Sequence, residues 1–268
     1  MASELGTDAS ALPLRRRLAV SVGWLQDARA GRSPLWVEAL AIAWLCWLYD
    51  ILTNLAPTRR AIALHHAASV LRIERTLGID PELSLNRWLA GQHALALALS
   101  DYYDNAHFVV TLGLLGLLWW RRADIYPSLR NALVATNLIG FAVFWLWPMA
   151  PPRLLPGNGF TDVVAATHAF GSWHTGSLAA DADQYAAMPS LHIAWAVWCV
   201  VVIWHLTRRR WLRALGLAHV GITAFAVMAT GNHFLLDVLA GALTAALSFA
   251  IIETIRILAQ RKRPLFAG

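Results

Sequence analysis

Three short stretches carry ionisable groups whose types and spacing could do chemistry. In Gly231-Asn232-His233-Phe234-Leu235-Leu236-Asp237, an imidazole and a carboxylate stand four residues apart, and so share one face of a helix. Asp237 falls about one turn inside an apolar run. A carboxylate there can accept a hydrogen bond from one imidazole nitrogen, fix the tautomer, and make the other nitrogen a better nucleophile or base. A purely structural pair has the same spacing. In Met188-Pro189-Ser190-Leu191-His192, the proline suits the first position of a helix. The N–H groups that follow would form an anion site, to which Ser190 adds a hydroxyl and His192 a proton. The plainer reading is a helix start with an interfacial histidine. In Trp147-Pro148-Met149-Ala150-Pro151-Pro152-Arg153, prolines stop a helix and stiffen its exit. The planar fork of Arg153 suits two phosphate oxygens, or else an interface anchor. One cation, one acid at a helix start and one carboxylate-backed imidazole together suit phosphoryl transfer.

The elements that must position these groups are membrane helices. Of the 268 residues, 58% are hydrophobic and 14% charged, where soluble domains carry about 25% charged. The mean hydropathy is +0.50. A water-soluble globule of this composition would expose far too much apolar surface, and disordered, collagenous and coiled-coil classes are excluded as well. The fold class that remains is an all-α integral membrane protein. Apolar runs at Leu35–Leu55, Ala106–Trp120, Ala132–Met149, Ser190–Thr207, Ala214–Thr230 and Phe234–Ile255 predict six transmembrane helices. Residues 1–34 read as a cytoplasmic N-terminal tail with no cleavable leader, 35–258 as one six-helix catalytic domain, and 259–268 as a basic cytoplasmic tail. Cys46 and Cys199 lie in apolar runs and imply no disulfide.

Charge sets the orientation. With six crossings and both termini inside, 16 of the 22 Lys and Arg residues fall on the cytoplasmic side. The net charge of +6 therefore needs no nucleic-acid partner. The loop 150–189 then lies outside with Arg153 as its one basic residue, which puts Arg153, His192 and His233 at the same membrane face. Pro57–Asn105, also outside, holds Arg59, Arg60, Arg72, Arg75 and Arg87. Its spacing of Leu64, Ala67, Ala68 and Leu71 predicts an extra amphipathic helix along the interface, ended by a turn at Gly78-Ile79-Asp80-Pro81. This helix reads as a packing element, with a basic rim for anionic headgroups as the alternative.

Taken in order, the three stretches resemble the motifs of the type 2 phosphatidic acid phosphatase superfamily. Met188–His192 is similar to its second motif, usually Pro-Ser-Gly-His, and His233 to Asp237 to the His-x-x-x-Asp end of its third. Pro151-Pro152-Arg153 resembles the first motif of the branch that contains inositol phosphorylceramide synthases and related bacterial membrane proteins. Leu191 replaces the usual Gly, Leu146 stands where the phosphatase form has Lys, and Ala226-Val227 stand where Ser-Arg is common. These departures point toward the phosphotransferase-like branch. Asn232, Tyr103, His107 or the Arg59–Arg60 pair could compensate for the missing cations.

The resemblance implies a metal-independent lipid phosphatase or phosphotransferase at the extracytoplasmic face, with no cofactor. His233 would be the nucleophile that forms a phosphohistidine, Asp237 its orienter, and His192 the acid. Arg153, Ser190 and Asn232 would bind substrate. The substrate class implied is a lipid phosphate or phospholipid headgroup, with a polyprenyl (di)phosphate as the alternative. Two other classes are weighed beside it. A lipid or proton-coupled transporter would use His192, His233 and Asp237 as a relay. A haem protein would use His205 and His219. His168, His174, Asp162, Asp181 and Asp183 read as solvated loop residues, and Trp44, Trp47, Trp119, Trp120, Trp145 and Trp147 as interface belts.

Overall fold

The computed structural model describes residues 34–55, 59–167 and 184–261. Within them the chain runs α1 (Leu35–Leu55), α2 (Arg60–Leu77), α3 (Glu82–Ala90), α4 (His93–Arg121), α5 (Tyr126–Leu146), α6 (Val163–Thr167), α7 (Leu191–Leu206), α8 (Arg210–Ala229) and α9 (Leu235–Arg261). A 3-10 turn spans Pro152–Leu154. The described residues form no β-strand beyond one isolated bridge. Among the described residues, three helices are long and apolar enough to cross a membrane: α5, α8 and α9 as far as Ala259. Helix α7 is apolar but only 16 residues long. Large apolar side chains face outward along these helices, among them Leu146, Leu215 and Leu243, as expected where lipid replaces water.

Helix α7 lies at the centre and packs against α4, α5, α8 and α9. Its Trp198 is fully buried and donates Nε1–H to the carbonyl of Leu129 at 2.8 Å. Helix α1 docks on α5, with Glu38 paired to Arg130 at 2.6 Å.

Four helices depart from the hydropathy limits by more than one residue: α8 begins four residues early at Arg210, α9 runs on to Arg261, and for the other two the physical reason is plain. The second run extends back to His93 because Ser100 and Asp104 turn inward and are buried, so they do not interrupt the helix. The third begins at Tyr126 and stops at Leu146, three residues early. Pro148 disfavours helical dihedrals at Trp147, which sits at φ −135°, ψ 68°.

Helix α2 ends at Gly78, whose φ of 68° allows its N–H and that of Ile79 to cap the carbonyls of Arg75 and Glu74. Its buried face is Ala63, Ala67, Val70, Leu71 and Glu74, rotated from the stripe expected because Glu74 takes a core position. That face packs on Met149, Ala150, Leu155, Ala187 and Phe234, so α2 is a packing helix.

Candidate active site

The segment after α5 and the segment before α7 are tied together at one end of the bundle. Met149 N–H donates to the Tyr185 carbonyl at 2.7 Å, and Ala187 N–H to the Met149 carbonyl at 3.1 Å. Ala150 N–H donates to Ala63 at 3.1 Å, which anchors both to α2. This pairing aims the Ala187 carbonyl at His233, whose Nδ1–H donates to it at 2.8 Å. Nε2 is thereby left with its lone pair. Burial, aided by the nearby charge of Arg153, pushes the His233 imidazole down to about 3, while the Ala187 bond opposes that shift. The ring is therefore neutral at neutral pH.

Asp237 stands behind this ring, with Oδ2 at 3.5 Å from Nδ1. The same oxygen accepts the Phe234 N–H at 2.8 Å. The carboxylate thus caps the first turn of α9, and the hydrogen bond that selects the tautomer comes from Ala187 rather than from Asp237.

Helix α7 starts at Leu191 with Ser190 as N-cap, so Pro189 lies just outside the cap and not at the first helical position. The Ser190 N–H donates to the Asp237 carbonyl at 3.1 Å. This close crossing of α7 and α9 depends on Gly241, because a Cβ there would lie 2.2 Å from the Ser190 carbonyl oxygen. Ser190 is fully buried, yet its hydroxyl neither caps its own helix nor has any other partner. Two residues on, His192 is half-buried. Its ring stacks on Tyr103 at 4.4 Å and meets His107 edge-on at 4.3 Å. The rings of His192 and His233 are 5.9 Å apart between centroids in an edge-to-face arrangement, close enough that one group lying beside both could contact each.

Arg153 is held from both ends. Its N–H donates to the Gly231 carbonyl at 2.9 Å. Its guanidinium pairs through Nε with Asp162 at 3.0 Å and donates Nη1–H to Asn232. Asn232 in turn donates to Thr230 Oγ1 at 2.9 Å. Gly231, at φ 79°, accommodates this crowding, since a Cβ would come 3.0 Å from the Thr161 carbonyl oxygen. Asn86 staples the same loop in place by accepting the Thr161 N–H at 2.8 Å and donating to Thr161 and Ala229 at 2.9 and 3.0 Å.

His233, Asp237, His192, Ser190, Arg153 and Asn232 are therefore linked at one end of the bundle. Tyr103 and His107 join them, whereas Arg59 turns away to the Trp145 carbonyl at 3.4 Å. Asp162 is not a solvated loop residue but the ion-pair partner of Arg153. His168, His174, Asp181 and Asp183 lie outside the described residues. Sequence reasoning missed Asn86, Glu74 and Glu82. Glu74 did leave a signal, because it falls on the helical stripe that runs through Ala63, Ala67 and Leu71.

A neutral imidazole with one free nitrogen, a second imidazole opposite, a guanidinium and an unpartnered hydroxyl at a helix start are groups suited to phosphoryl transfer. The chain belongs to the PAP2 superfamily, a group of phosphatases and phosphotransferases, whose family model matches residues 68–251. It is 30% identical over 156 residues to a phosphoinositol dihydroceramide synthase of Bacteroides thetaiotaomicron, a match covering 52% of this chain and 50% of the relative. The chain thus spans about half the length of that relative. Among solved structures it is similar to Aquifex aeolicus LpxE, at 17% identity and a TM-score of 0.47, over 64% of this chain and 94% of the other.

Proposed function

We propose that this protein is a membrane phosphotransferase that takes a phosphoryl-bearing group from a lipid, through a phosphohistidine on His233, at the extracytoplasmic face of a six-crossing bundle. The observation that carries the reading is the Ser190 hydroxyl. It is buried, without a partner, and set at the N-cap of α7 beside His192 and the crossing with α9. A buried orphan donor costs about 1–3 kcal/mol, and a bound phosphoryl oxygen would supply its missing acceptor.

The chemistry follows from the geometry. Nε2 of His233 carries the lone pair because Nδ1–H is committed to Ala187. Nε2 attacks phosphorus, the P–O bond to the leaving group breaks, and His192 gives its proton to the departing oxygen. Arg153, the α7 N–H groups and Ser190 hold the phosphoryl oxygens as charge develops. An acceptor hydroxyl then gives its proton to His192 and attacks the phosphohistidine, which frees His233. The relative's name supports a phosphorylated polyol as the transferred group and a lipid hydroxyl as the acceptor. The pattern of basic residues supports placing the site outside, and the mechanism as written routes no step through a metal.

The transporter and haem readings fare worse on particular contacts. Four polar groups deeper in the bundle bond to their own helices, Thr136 to Ala132, Asn137 to Leu133, Thr244 to Ala240 and Ser248 to Thr244, which favours chemistry at the bundle end over a proton path through it. His219 bonds Tyr102 at 2.6 Å and lies over two turns into α8, whereas His205 is at the end of α7. The two imidazoles are thus at different depths.

The test is reconstitution of the purified protein in liposomes with headgroup-labelled phospholipids and candidate acceptors, with products read by mass spectrometry, in the presence and absence of EDTA. Transfer or release of label should occur in both, be lost in His233→Ala, and be accompanied by an acid-labile phosphate on the His233 peptide. Full activity in His233→Ala would remove the mechanism.

A further inference from the structure

Two glutamates far from the recognised motifs reach the catalytic turn. Glu74, near the end of α2, accepts the Leu236 N–H at 2.7 Å. Glu82, at the start of α3, accepts the Leu235 N–H at 2.6 Å. With Asp237 accepting from Phe234, three successive N–H groups after His233 each meet a carboxyl oxygen. Both glutamates have no exposed surface, and each has a second oxygen without a partner. Most helices satisfy these donors with a local side chain or with water. Here the acceptors come from residues more than 150 positions away in sequence.

We infer that Glu74 and Glu82 are positioning residues for the phosphoryl transfer, clamping the first turn of α9 so that His233 is held at the phosphorus and closing that turn to anions. The inference rests on the role proposed above for His233. Closure matters because an unfilled helix start beside the site would compete with α7 for the phosphoryl oxygens. Burial among Glu82, Asp237 and Asp80 raises Glu74 to about 8, so its carboxyl carries a proton at neutral pH and does not repel the incoming anion. Glutamine is the isostere of that protonated acid and keeps the acceptor oxygen.

The experiment uses the full chain in detergent or liposomes and compares Glu74→Ala, Glu82→Ala, Glu74→Gln and Glu82→Gln. Two readouts are taken per folded molecule. The first is steady-state kcat and KM on the lipid substrate. The second is the rate at which diethylpyrocarbonate modifies His233, followed by peptide mass spectrometry without substrate, with His205 as internal control. The alanine variants should lose about tenfold or more in kcat with KM within about twofold. His233 modification should rise about fivefold as the clamp opens and the ring gains access. Glutamine should recover about a third or more of kcat and restore slow modification. Alanine variants with wild-type kcat and wild-type His233 reactivity would overturn the inference. So would a glutamine variant that misfolds, or that folds but behaves as alanine does. If the alanine variants do not fold, the glutamine pair decides. If the wild-type protein turns over no lipid phosphate, the functional reading fails on its own, and the modification rates still decide whether the glutamates set the position of His233.

Discussion

Ser190→Ala should lower activity and leave stability equal or higher, a pair of signs that few substitutions give together. The hydroxyl is buried with no partner, so its removal breaks nothing inside the protein. It also relieves an unsatisfied polar atom, whose cost is about 1–3 kcal/mol. In the transition state the same hydroxyl would donate to a charged phosphoryl oxygen, an interaction worth about 1.5–3 kcal/mol. At about 1.36 kcal/mol per tenfold, kcat should fall by about 10- to 150-fold. KM should change less, because charge on that oxygen grows during the reaction. Headgroup transfer in mixed micelles gives kcat and KM, and intrinsic Trp fluorescence during heating gives Tm. A kcat within about twofold of wild type would refute the assignment of Ser190 to the phosphoryl site. A clear fall in Tm would show that the hydroxyl has an internal partner after all.

Arg153→Lys should cost about 10- to 100-fold in kcat/KM, because one ammonium cannot replace a guanidinium that engages Asp162 and Asn232 through two nitrogens and is proposed to hold the phosphoryl oxygens as well; unchanged kinetics would make Arg153 an anchor only. Gly241→Ala should lower Tm by several degrees, since its Cβ would meet backbone at 2.2 Å, and overpacking of this kind costs about 1–3 kcal/mol or more; an unchanged Tm would mean that α7 and α9 do not touch there. Stability should depend on pH with two opposed slopes. His233 is lowered from 6.5 to about 3, so its contribution is present above 6.5 and is lost as pH falls toward 3, at about 1.4 kcal/mol per pH unit. Glu74 is raised from 4.5 to about 8, so its contribution is present below 4.5 and is lost as pH rises to 8. Tm measured from pH 4 to 8.5 should show the acid slope flatten in His233→Gln and the alkaline slope flatten in Glu74→Gln; unaltered slopes in these variants would contradict the burial of the two groups.

What could be read from sequence was whatever local periodicity controls. Apolar run length located the helices, and Gly78 marked the end of α2, because helix formation and termination depend on neighbouring residues. The His233–Asp237 and Ser190–His192 spacings placed each pair on its own turn. The partners that complete the site were not legible, because they arrive from elsewhere in the chain. Ala187 acts through its backbone carbonyl, to which its side-chain identity gives no clue. Asp162 looked like any polar loop residue until Asn86 fixed the loop that carries it. Glu74 sits on the expected amphipathic helix and Glu82 on a nine-residue helix that no apolar run marked, and a buried carboxyl there has meaning only once α9 is in place. Leu191, the departure from the usual Pro-Ser-Gly-His, packs on α5 beside Gly140, a contact that a glycine there would not make.

The two helix starts at the site are treated in opposite ways, and on the proposed reading that asymmetry decides where an anion settles. Both α7 and α9 point their N-terminal N–H groups toward the same end of the bundle, and each would attract an anion. At α9 the donors of Phe234, Leu235 and Leu236 are occupied by Asp237, Glu82 and Glu74. At α7 the N-cap side chain makes no bond to its own helix. On the proposed reading, a phosphoryl group that enters is drawn to the α7 side, where Ser190 and His192 stand, within reach of His233. Had both starts been open, the group could settle over α9, behind the nucleophile and away from the acid. The carboxyls that close α9 thus do for the anion what the Ala187 carbonyl does for the proton: each removes the unproductive alternative before substrate arrives.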